Sequence, residues 1–475
     1  MNEKVAEALG HVDGQYIAEA ARRKRRSKRV LGTLAAVLAL VFLVRIPAIP
    51  FVISAKAVAI ASDSRMPERP SRKLFLSDDA YWELHEIYQD AYEHNDETSR
   101  AALADMEEFF HQTSTEFLTG TDKNAIWSPV NAAIALSVLA ETAGGSTRQE
   151  VLDLLGVSDV DTLRGYISAL WEQCYEDDGR EISTLSNSLW LDEGMKYDQN
   201  VMDTLARDYY ASVYQGDLGS GRTNRAIQTW VDNQTGGFLK QHSSGIDVSA
   251  NAPAIDTALA LVSTVYLQAT WSDEFSSGQN TGGIFHAPGG HRNVTYMNKK
   301  EADMNYYWGK SYGAVSMGLK NGCTMWLMLP DEGKSPSDIL AEGEYLNMLG
   351  KSWGYENSKY MMVNLSVPKF DISADLDLKE GLQALGLTEV FDVGGGDFGT
   401  TFETELPIFV NRVNQASRVA IDEEGVTAAS YIVLDWSAGA AAPAEEIIDF
   451  VLDRPFVFVI ESAGIPMFVG VVNEP

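Results

Sequence analysis

The sequence predicts an α+β fold, and three observations support that prediction. In the region after residue 100, helical patterns come first and strand patterns dominate later, without the regular β–α alternation that builds a parallel sheet. Of the 475 residues, 45% are hydrophobic and 22% are charged, so the chain has enough apolar side chains for a large core. The sequence contains no internal repeat, and residues 100–475 therefore form one long mixed domain.

The helical signals are concentrated before residue 160. Asn131–Ala143 is apolar on every face, which predicts a helix inside the core. Thr147 and Glu150 have the spacing of a capping box and predict the start of an amphipathic helix that Gly156 ends. Ahead of both, the acidic and aromatic residues of Tyr81–Tyr92 recur at roughly helical spacing and predict a short helix.

The strand signals follow as β-branched or aromatic runs bounded by turn residues. These runs are Leu261–Leu267, Cys323–Leu329, Met361–Val367, Val413–Ile421 and Phe456–Ile460. The last run is followed by Met467–Val472, with Glu461–Pro466 between them as the predicted turn. Since neither run carries a charge, the pair predicts a hairpin that is buried on both faces.

Charge and residue counts exclude several classes of protein. The chain has 67 acidic and 37 basic residues, a net charge of −30, which argues against a nucleic-acid partner because phosphate contacts need an excess of bases. Cys174 and Cys323 are the only cysteines and cannot build a disulfide framework. No two of the seven histidines have H-x-x-x-H spacing, so we expect no metal site and no cofactor.

The N-terminal residues predict export and attachment to a membrane. Seven of the eight bases in residues 1–29 fall within Arg22–Arg29, and the uncharged run Val30–Val44 follows directly. Its fifteen residues would rise about 22 Å as a helix, less than a ~30 Å hydrocarbon core. A helix that continues to Ile46, with Arg45 snorkelling, can still span a locally thinned bilayer. The preceding bases orient the N-terminus to the cytoplasm and everything downstream to the outside.

We therefore expect a basic cytoplasmic segment at 1–29, a transmembrane anchor or signal segment at 30–53, an extracellular stalk at 54–99 and a domain at 100–475. The alternative to an anchor is a cleaved signal peptide, because Ala55–Ala57 fits the A-x-A cleavage pattern. An uncleaved anchor is favoured because that site lies far from the apolar run. The domain is then extracellular at the cell membrane, or secreted if the segment is removed.

Three short patterns typical of enzymes fail on their context. Gly309–Gly313 matches the G-x-S-x-G nucleophile elbow, but strand-like residues follow where a helix is needed. Ser366–Lys369 matches S-x-x-K, yet Pro368 opposes the helical turn that would bring the serine and lysine together. The glycine cluster Gly394–Gly399 lacks the spacing of a phosphate-binding loop. A membrane-tethered hydrolase rests on these patterns alone, so we expect no catalytic residues.

The stretch Asp422–Trp436 is unusual for a surface loop. It opens with three acids and a glycine and then alternates like a strand, with Val426, Ala428 and Ser430 on one face. The small-residue tract Ser437–Ala444 follows. Because exposed strand-forming residues invite aggregation, two interpretations are open. The stretch is either an edge strand followed by a linker, or a loop that is exposed in one state and becomes a sheet strand in another.

At these residues the chain resembles the serpin family, over roughly residues 100–475. The hinge of inhibitory serpins is similar to the run Glu423, Glu424, Gly425, Val426, Thr427, Ala428, Ala429 and Ser430. Trp271 resembles the tryptophan at the breach, where the loop first enters the sheet. Further similar motifs are Asn124–Pro129, Thr147–Glu150, Asn187–Trp190, Trp230–Thr235, Val265–Phe275, Val367–Phe370 and Arg454–Phe458.

Five positions depart from the family pattern. Ser263 replaces the usual asparagine of a strand motif, Gln415 stands near where many members have a histidine in the shutter region, and Asn131 replaces a serine there. Val426 replaces a threonine at the first inserted position, where it remains a good strand former. Tyr431 is bulkier than usual but lies on the face that points away from the sheet interior.

The resemblance implies a serpin fold, in which helices surround a large central mixed or antiparallel sheet and smaller sheets, with an exposed reactive-centre loop. It implies a suicide-substrate inhibitor of serine, or also cysteine, proteases. The target cleaves the loop and forms an acyl-enzyme, and the freed hinge inserts as a new central strand that traps the protease. Insertion is expected to bury Val426, Ile432 and Leu434, so the uncleaved form is metastable.

We expect a bacterial-type, monomeric serpin whose partners are its target protease, bound covalently, and the membrane. The alternative is a non-inhibitory serpin-fold binding protein that proteases cleave as a substrate. The small hinge residues Ala428 and Ala429 argue against that alternative.

The resemblance also narrows the scissile bond. The usual serpin interval, counted forward from Gly425 or backward from Pro455, gives two different bonds, so the cut lies within 439–445. The candidate residues are Gly439, Ala440, Ala441 and Ala444. All are glycine or alanine, and residues 426–453 contain no Arg or Lys. The expected target is therefore an elastase-like or subtilisin-like protease with a shallow specificity pocket.

Overall fold

Two large sheets, one two-stranded sheet and a set of helices make up the computed structural model. It describes residues 58–61, 95–177, 181–218, 220–235, 237, 259–351, 354–403, 408–410, 413–426 and 446–475. All of these residues belong to one compact unit. The predictions for 1–29, for 30–53 and for a helix at Tyr81–Tyr92 lie outside the described residues. Two parts of the predicted stalk are described: Val58–Ala61 form a strand, and residues 95–99 are helical.

Helices dominate the first part of the described chain, as the sequence predicts. Residues 95–105 are helical, and the later α-helices are α1 Glu107–Leu118, α2 Pro129–Thr142, α3 Gly145–Leu155, α4 Val160–Cys174, α5 Gln199–Asp208, α6 Gly221–Gln234, α7 Pro336–Glu342 and α8 Lys379–Ala384. Every residue of α2 is buried, and this helix packs against strands of both sheets, which confirms the predicted core helix. Among the described residues, no helix has the length and apolar character needed to cross a bilayer.

The predicted capping box is wrong, although the helix itself exists. Helix α3 begins at Gly145, ahead of Thr147, and ends where predicted, at Gly156 with φ 75°. The Thr147 hydroxyl donates to Glu389 Oε2 at 2.8 Å, and the Glu150 carboxylate accepts from the backbone N–H of Glu389 at 2.8 Å. The two side chains therefore join α3 to the 3₁₀ turn Glu389–Phe391 instead of capping their own helix.

The strands are β1 Val58–Ala61, β2 Ala125–Trp127, β3 Glu176–Asp177, β4 Ile182–Asp192, β5 Lys196–Tyr197, β6 Ala211–Gly216, β7 Leu259–Thr270, β8 Thr281–Ala287, β9 Gly290–Trp308, β10 Tyr312–Gly318, β11 Thr324–Pro330, β12 Ser358–Pro368, β13 Phe370–Asp377, β14 Phe402–Glu403, β15 Asn414–Ile421, β16 Gly425–Val426, β17 Ile447–Val451, β18 Phe456–Ser462 and β19 Ile465–Val472. Each run predicted as a strand lies within one of them or overlaps it.

Sheet 1 has the order β1-β6-β4-β7-β16-β15-β13, with β3 beside β4. It is mixed, because β4 and β6 run parallel while β7 and β13 pair antiparallel with their neighbours. Sheet 2 has the order β17-β12-β9-β10-β11-β18-β19-β2, with β8 beside β9, and β5 pairs with β14 separately. The α+β prediction is confirmed.

The predicted C-terminal hairpin is present as β18 and β19, but its turn is shorter than expected. Ala463 and Gly464 alone close it, with φ of 49° and 90°, the left-handed pair that matches the twist of a two-residue hairpin. Pro466, which the sequence assigned to the turn, pairs with Glu461 inside the ladder. Both strands are buried along almost their whole length, as predicted.

The three enzyme-like patterns lie where their context predicts. Gly309–Gly313 spans the turn from β9 to β10, and the Ser311 hydroxyl donates to Glu342 Oε2 at 2.6 Å. Ser366–Lys369 is the end of β12, and Gly394–Gly399 is a loop after the Glu389–Phe391 turn. Within the described ranges, no three His, Cys, Asp or Glu side chains are grouped so that they could hold a metal ion.

Candidate functional site: the hinge between two strands of sheet 1

The segment predicted to be the hinge enters sheet 1 at Gly425 and Val426, which form the two-residue strand β16. Gly425 pairs with Thr270 of β7, and Val426 pairs with Ala269 of β7 and with Ile421 of β15. Ala269, Ile421 and Val426 are all buried, with Val426 only 1% exposed, so the valine side chain faces the core. The expectation that Val426 is buried only on insertion is therefore wrong, because it is already in the sheet.

The strands on either side of β16 extend beyond it. In the part of the chain that the structure describes, no strand pairing joins β7 directly to β15. Strand β16 lies between them and pairs with two residues of β7 and one residue of β15. Continuing the observed register would set Ala428 opposite Leu267 of β7 and Val419 of β15. Both are buried, so the next inward position after Val426 is apolar on either side.

Gly425 is required by the close approach of β7. A Cβ atom added at this residue would lie 2.2 Å from the carbonyl oxygen of Ala269 and 2.7 Å from Cα of Thr270. Backbone atoms cannot move away as a flexible side chain can. A larger residue would therefore push the hinge out of the sheet.

Trp271 holds the hinge backbone from the β7 side. Its indole N–H donates to the carbonyl of Asp422 at 2.9 Å, and its backbone N–H donates to the carbonyl of Glu424 at 2.9 Å. The backbone N–H of Phe275 donates to the carbonyl of Glu423 at 3.0 Å. Trp271 is 1% exposed and meets the ring of Phe275 edge to face, at 6.1 Å between centroids. The carbonyl groups of the consecutive residues Asp422, Glu423 and Glu424 thus all accept hydrogen bonds.

The Glu423 side chain binds two further segments of the chain. Its Oε1 lies 2.6 Å from Nζ of Lys369 and also accepts a hydrogen bond from the amide of Asn280. Burial opposes ionisation of this carboxyl, but the hydrogen bonds from Lys369 and Asn280 outweigh it and lower the pKa of Glu423. The ionised form is therefore the one that stabilises the folded hinge.

We expect Glu423→Gln to lower the melting temperature slightly at neutral pH. The lowered pKa means that the ionised carboxylate stabilises the fold above its unfolded-state pKa and loses that effect as pH falls through the folded-state pKa, below about 4.5. Because the ion pair is partly exposed, the loss should be under about 1 kcal/mol. Thermal unfolding at pH 7 and at pH 3 measures it, with Glu424→Gln as the matched control. Curves that stay equally far apart at both pH values would contradict this role of the carboxylate.

At the other end of β15, Gln415 binds Ser128, the residue directly before α2. Its amide oxygen accepts from the backbone N–H of Ser128 at 2.6 Å, and its amide nitrogen donates to the carbonyl of Ser128 at 3.1 Å. The Ser128 hydroxyl donates to the carbonyl of Met467 in β19 at 2.5 Å. Where many serpins are expected to have a histidine, this chain uses a neutral amide that binds one residue's backbone twice.

Several buried polar atoms near these strands lack hydrogen-bond partners. Among the described residues they include both amide atoms of Asn131 in α2, the amide nitrogen of Asn187 in β4 and the hydroxyl of Ser417 in β15. The amide oxygen of Asn187 does accept a hydrogen bond, from the hydroxyl of Ser263 at 2.6 Å. A buried polar atom without a partner typically costs about 1–3 kcal/mol, so these atoms destabilise the native state.

The described chain resumes at Glu446, beside sheet 2. The carbonyl of Glu446 accepts from the backbone N–H of Met362 at 3.0 Å, and its carboxylate lies 2.6 Å from Nζ of Lys359. From Ile447 onward the chain runs parallel to β12 as β17. Residues 427–445 thus connect two fixed points, Val426 in sheet 1 and Glu446 beside sheet 2.

The structure brings together Trp271 and the hinge residues Glu423, Glu424, Gly425 and Val426. Thr427, Ala428, Ala429 and Ser430 lie outside the described residues, as do the scissile-bond candidates Gly439, Ala440, Ala441 and Ala444. Sequence reasoning missed the roles of Asn280 and Lys369. Lys369 belongs to a motif that the sequence did single out, whereas nothing near Asn280 indicated a contact 143 residues away.

Comparisons with known proteins agree with this geometry. A family model described as "Serpin (serine protease inhibitor)" matches residues 107–475. Serpin-ZX of Arabidopsis thaliana is 24% identical over 375 residues, covering 74% of this chain and 93% of its own length. Neuroserpin of Mus musculus is 26% identical over 383 residues, covering 75% and 87%.

Solved structures give the same result for the fold. The thermophilic serpin tengpin in its native state superposes with a TM-score of 0.67 at 22% identity, covering 78% of this chain and 93% of its own. Arabidopsis AtSerpin1 in its native stressed conformation gives a TM-score of 0.65 at 22% identity, covering 80% and 98%. With the family model spanning well over half of its length, the chain belongs to the serpin family, whose members are protease inhibitors and not enzymes.

Proposed function

We propose that this serpin is a suicide-substrate inhibitor of serine proteases that cleave after small residues. The observation that carries the proposal is β16, which already pairs with both β7 and β15 and buries Val426 between them. A loop whose first inward residue is in place needs no separate nucleation step before the following residues insert.

The chemistry is supplied by the protease. Its serine attacks the carbonyl of a bond within 439–445, the peptide bond breaks, the new amine leaves with the C-terminal part of the loop, and an acyl-enzyme remains. Insertion of the freed hinge then moves the tethered protease across the serpin before water can hydrolyse the ester. The loop must insert faster than deacylation, and small residues at Ala428 and Ala429 favour that.

The energy for insertion comes from burial and from polar atoms that gain partners. Ile432 and Leu434 would each contribute on the order of 1.5–3 kcal/mol if fully buried. In the extended register Ser430 comes opposite Ser417, whose buried hydroxyl lacks a partner in the described structure. Insertion would therefore also relieve an unfavourable group of the native state.

The composition of the loop sets the proposed specificity. The scissile-bond candidates Gly439, Ala440, Ala441 and Ala444 all present a side chain no larger than a methyl group. An elastase-like or subtilisin-like pocket accepts such residues, whereas a trypsin-like pocket needs Arg or Lys, and residues 426–453 have neither.

Mixing the full chain with pancreatic elastase should give a complex that survives boiling in detergent. The released C-terminal fragment should begin between residues 440 and 445 by mass spectrometry. Elastase whose serine has been blocked beforehand is the control and should give no complex. Complete cleavage of the serpin with fully active elastase would instead support the second candidate, a non-inhibitory serpin-fold protein that is cleaved as a substrate.

We also propose that residues 30–53 anchor this inhibitor in the membrane with its domain outside. The basic run Arg22–Arg29 directly before the apolar run Val30–Val44 supports this orientation. The chain expressed in cells should remain in membranes washed with carbonate. A soluble product that begins after Ala57 would show that the segment is a cleaved signal.

A further inference from the structure

The exposed side chains of Tyr360 and Ile447 lie with the half-buried side chain of Met362 on one face of sheet 2, and we call these three residues the edge patch. Met362 of β12 lies directly opposite Ile447 of β17, and Tyr360 is two residues before Met362 on the same face. Tyr360 is 37% exposed and Ile447 is 54% exposed, among the most exposed large apolar side chains of the described structure. Exposed apolar groups with polar borders mark interaction sites.

The border of the edge patch is acidic. Asp303 of β9 lies opposite Met362, and Asp449 of β17 lies two residues beyond Ile447 on the same face. The carboxylate of Asp449 accepts from the amide of Asn364 at 2.8 Å. Neither aspartate forms an ion pair with a basic side chain in the described parts of the chain. The two negative charges are therefore free to attract a positively charged partner.

The edge patch lies directly beside the end of the reactive loop. Ile447 follows Glu446, the residue whose carbonyl and carboxylate fix the loop to Met362 and Lys359. The candidates Ala444 and Gly439 lie two and seven residues before Glu446, so an extended chain from them to Glu446 spans at most roughly 7 Å and 25 Å. An interface of standard size covers about 800 Å² on each partner, a radius of roughly 16 Å, so a protease that cleaves after Ala444 covers this region.

We propose that the edge patch is a second docking surface for the target protease, which contacts it with an apolar group bordered by Lys or Arg. This inference rests on the proposed inhibitory function. It adds that the protease surface facing the edge patch is basic, so proteases with Lys or Arg there are inhibited faster than proteases with acidic residues there. The patch acts before acylation, when the protease first meets the loop. Its loss should therefore slow association without changing how often an acyl-enzyme is trapped.

The test measures the second-order rate constant of inhibition of pancreatic elastase by the full chain. Tyr360→Ala with Ile447→Ser should lower it on the order of tenfold, because the two substitutions remove the apolar contacts of the edge patch. Asp303→Asn with Asp449→Asn should lower the rate constant less. It should also weaken the dependence of the rate constant on salt between about 50 and 500 mM, because salt screens the attraction between exposed charges. Val393→Ser is the matched control, since Val393 is 59% exposed but lies after the Glu389–Phe391 turn, and its rate should stay unchanged.

The number of serpin molecules consumed per protease inhibited is measured alongside and should not change in any variant. Melting temperatures equal to that of the wild type show that the variants are folded, and Ile447→Ser alone replaces the first variant if they are not. Equal rates for wild type and patch variants overturn the docking surface and leave the inhibitory function standing. Absence of a covalent complex with the wild type overturns the inhibitory function itself.

Discussion

Cleavage of the loop within 439–445 should raise the melting temperature of the domain by about 10 °C or more. The cleaved loop is expected to insert between β7 and β15, which buries Ile432 and Leu434. Its backbone then forms hydrogen bonds with β7 and β15 beyond the short stretch where the two-residue strand β16 already pairs with them. For a domain of this size each kcal/mol shifts the melting temperature by roughly 2 °C, so a gain of several kcal/mol is readily measured. Differential scanning calorimetry before and after limited proteolysis measures it.

The size of this shift depends on where the native structure already holds the hinge. Because Val426 is buried before cleavage, its side chain adds nothing to the gain, and the increase must come from residues beyond it. The Ala428→Arg variant, cleaved in the same way, is the control and should show a much smaller rise. An identical melting temperature before and after the cut in the wild type would mean that the native form stores no energy for insertion.

The second large effect is expected from Ala428→Arg, which should convert the inhibitor into a substrate. In the register set by Val426, residue 428 faces inward between Leu267 and Val419, both buried. An unpaired guanidinium at that position would cost several kcal/mol, so insertion would stall and the acyl-enzyme would be hydrolysed. Gel analysis with pancreatic elastase should show complete cleavage and no complex stable to detergent.

Thr427→Arg is the matched control for this variant. The same register sets residue 427 on the opposite face, between Gln268 and Ala420, which are both half-buried. An arginine there can reach solvent, so the covalent complex should still form. Full inhibition by Ala428→Arg, or equal loss of inhibition in both variants, would contradict the inward face assigned from Val426.

The sequence by itself determined the fold class, the buried helix α2 and the C-terminal hairpin, whereas the hinge was predicted from the resemblance to serpins. The helix and the hairpin depend on local spacing: apolar residues on every face of Asn131–Ala143 and charge-free runs around a turn. Such periodicity fixes which residues form an element and which face is buried. It does not fix which element lies next to which.

Only the tertiary structure decided how the hinge is held. Glu423 meets Asn280 and Lys369, and Gln415 meets Ser128 287 residues away. The same limit explains the failed capping box, since Thr147 and Glu150 have the right local spacing but their hydrogen bonds go to the turn at Glu389. Polar side chains take whichever partner the packed fold brings within about 3 Å, and the chain folds back from distant positions to supply it.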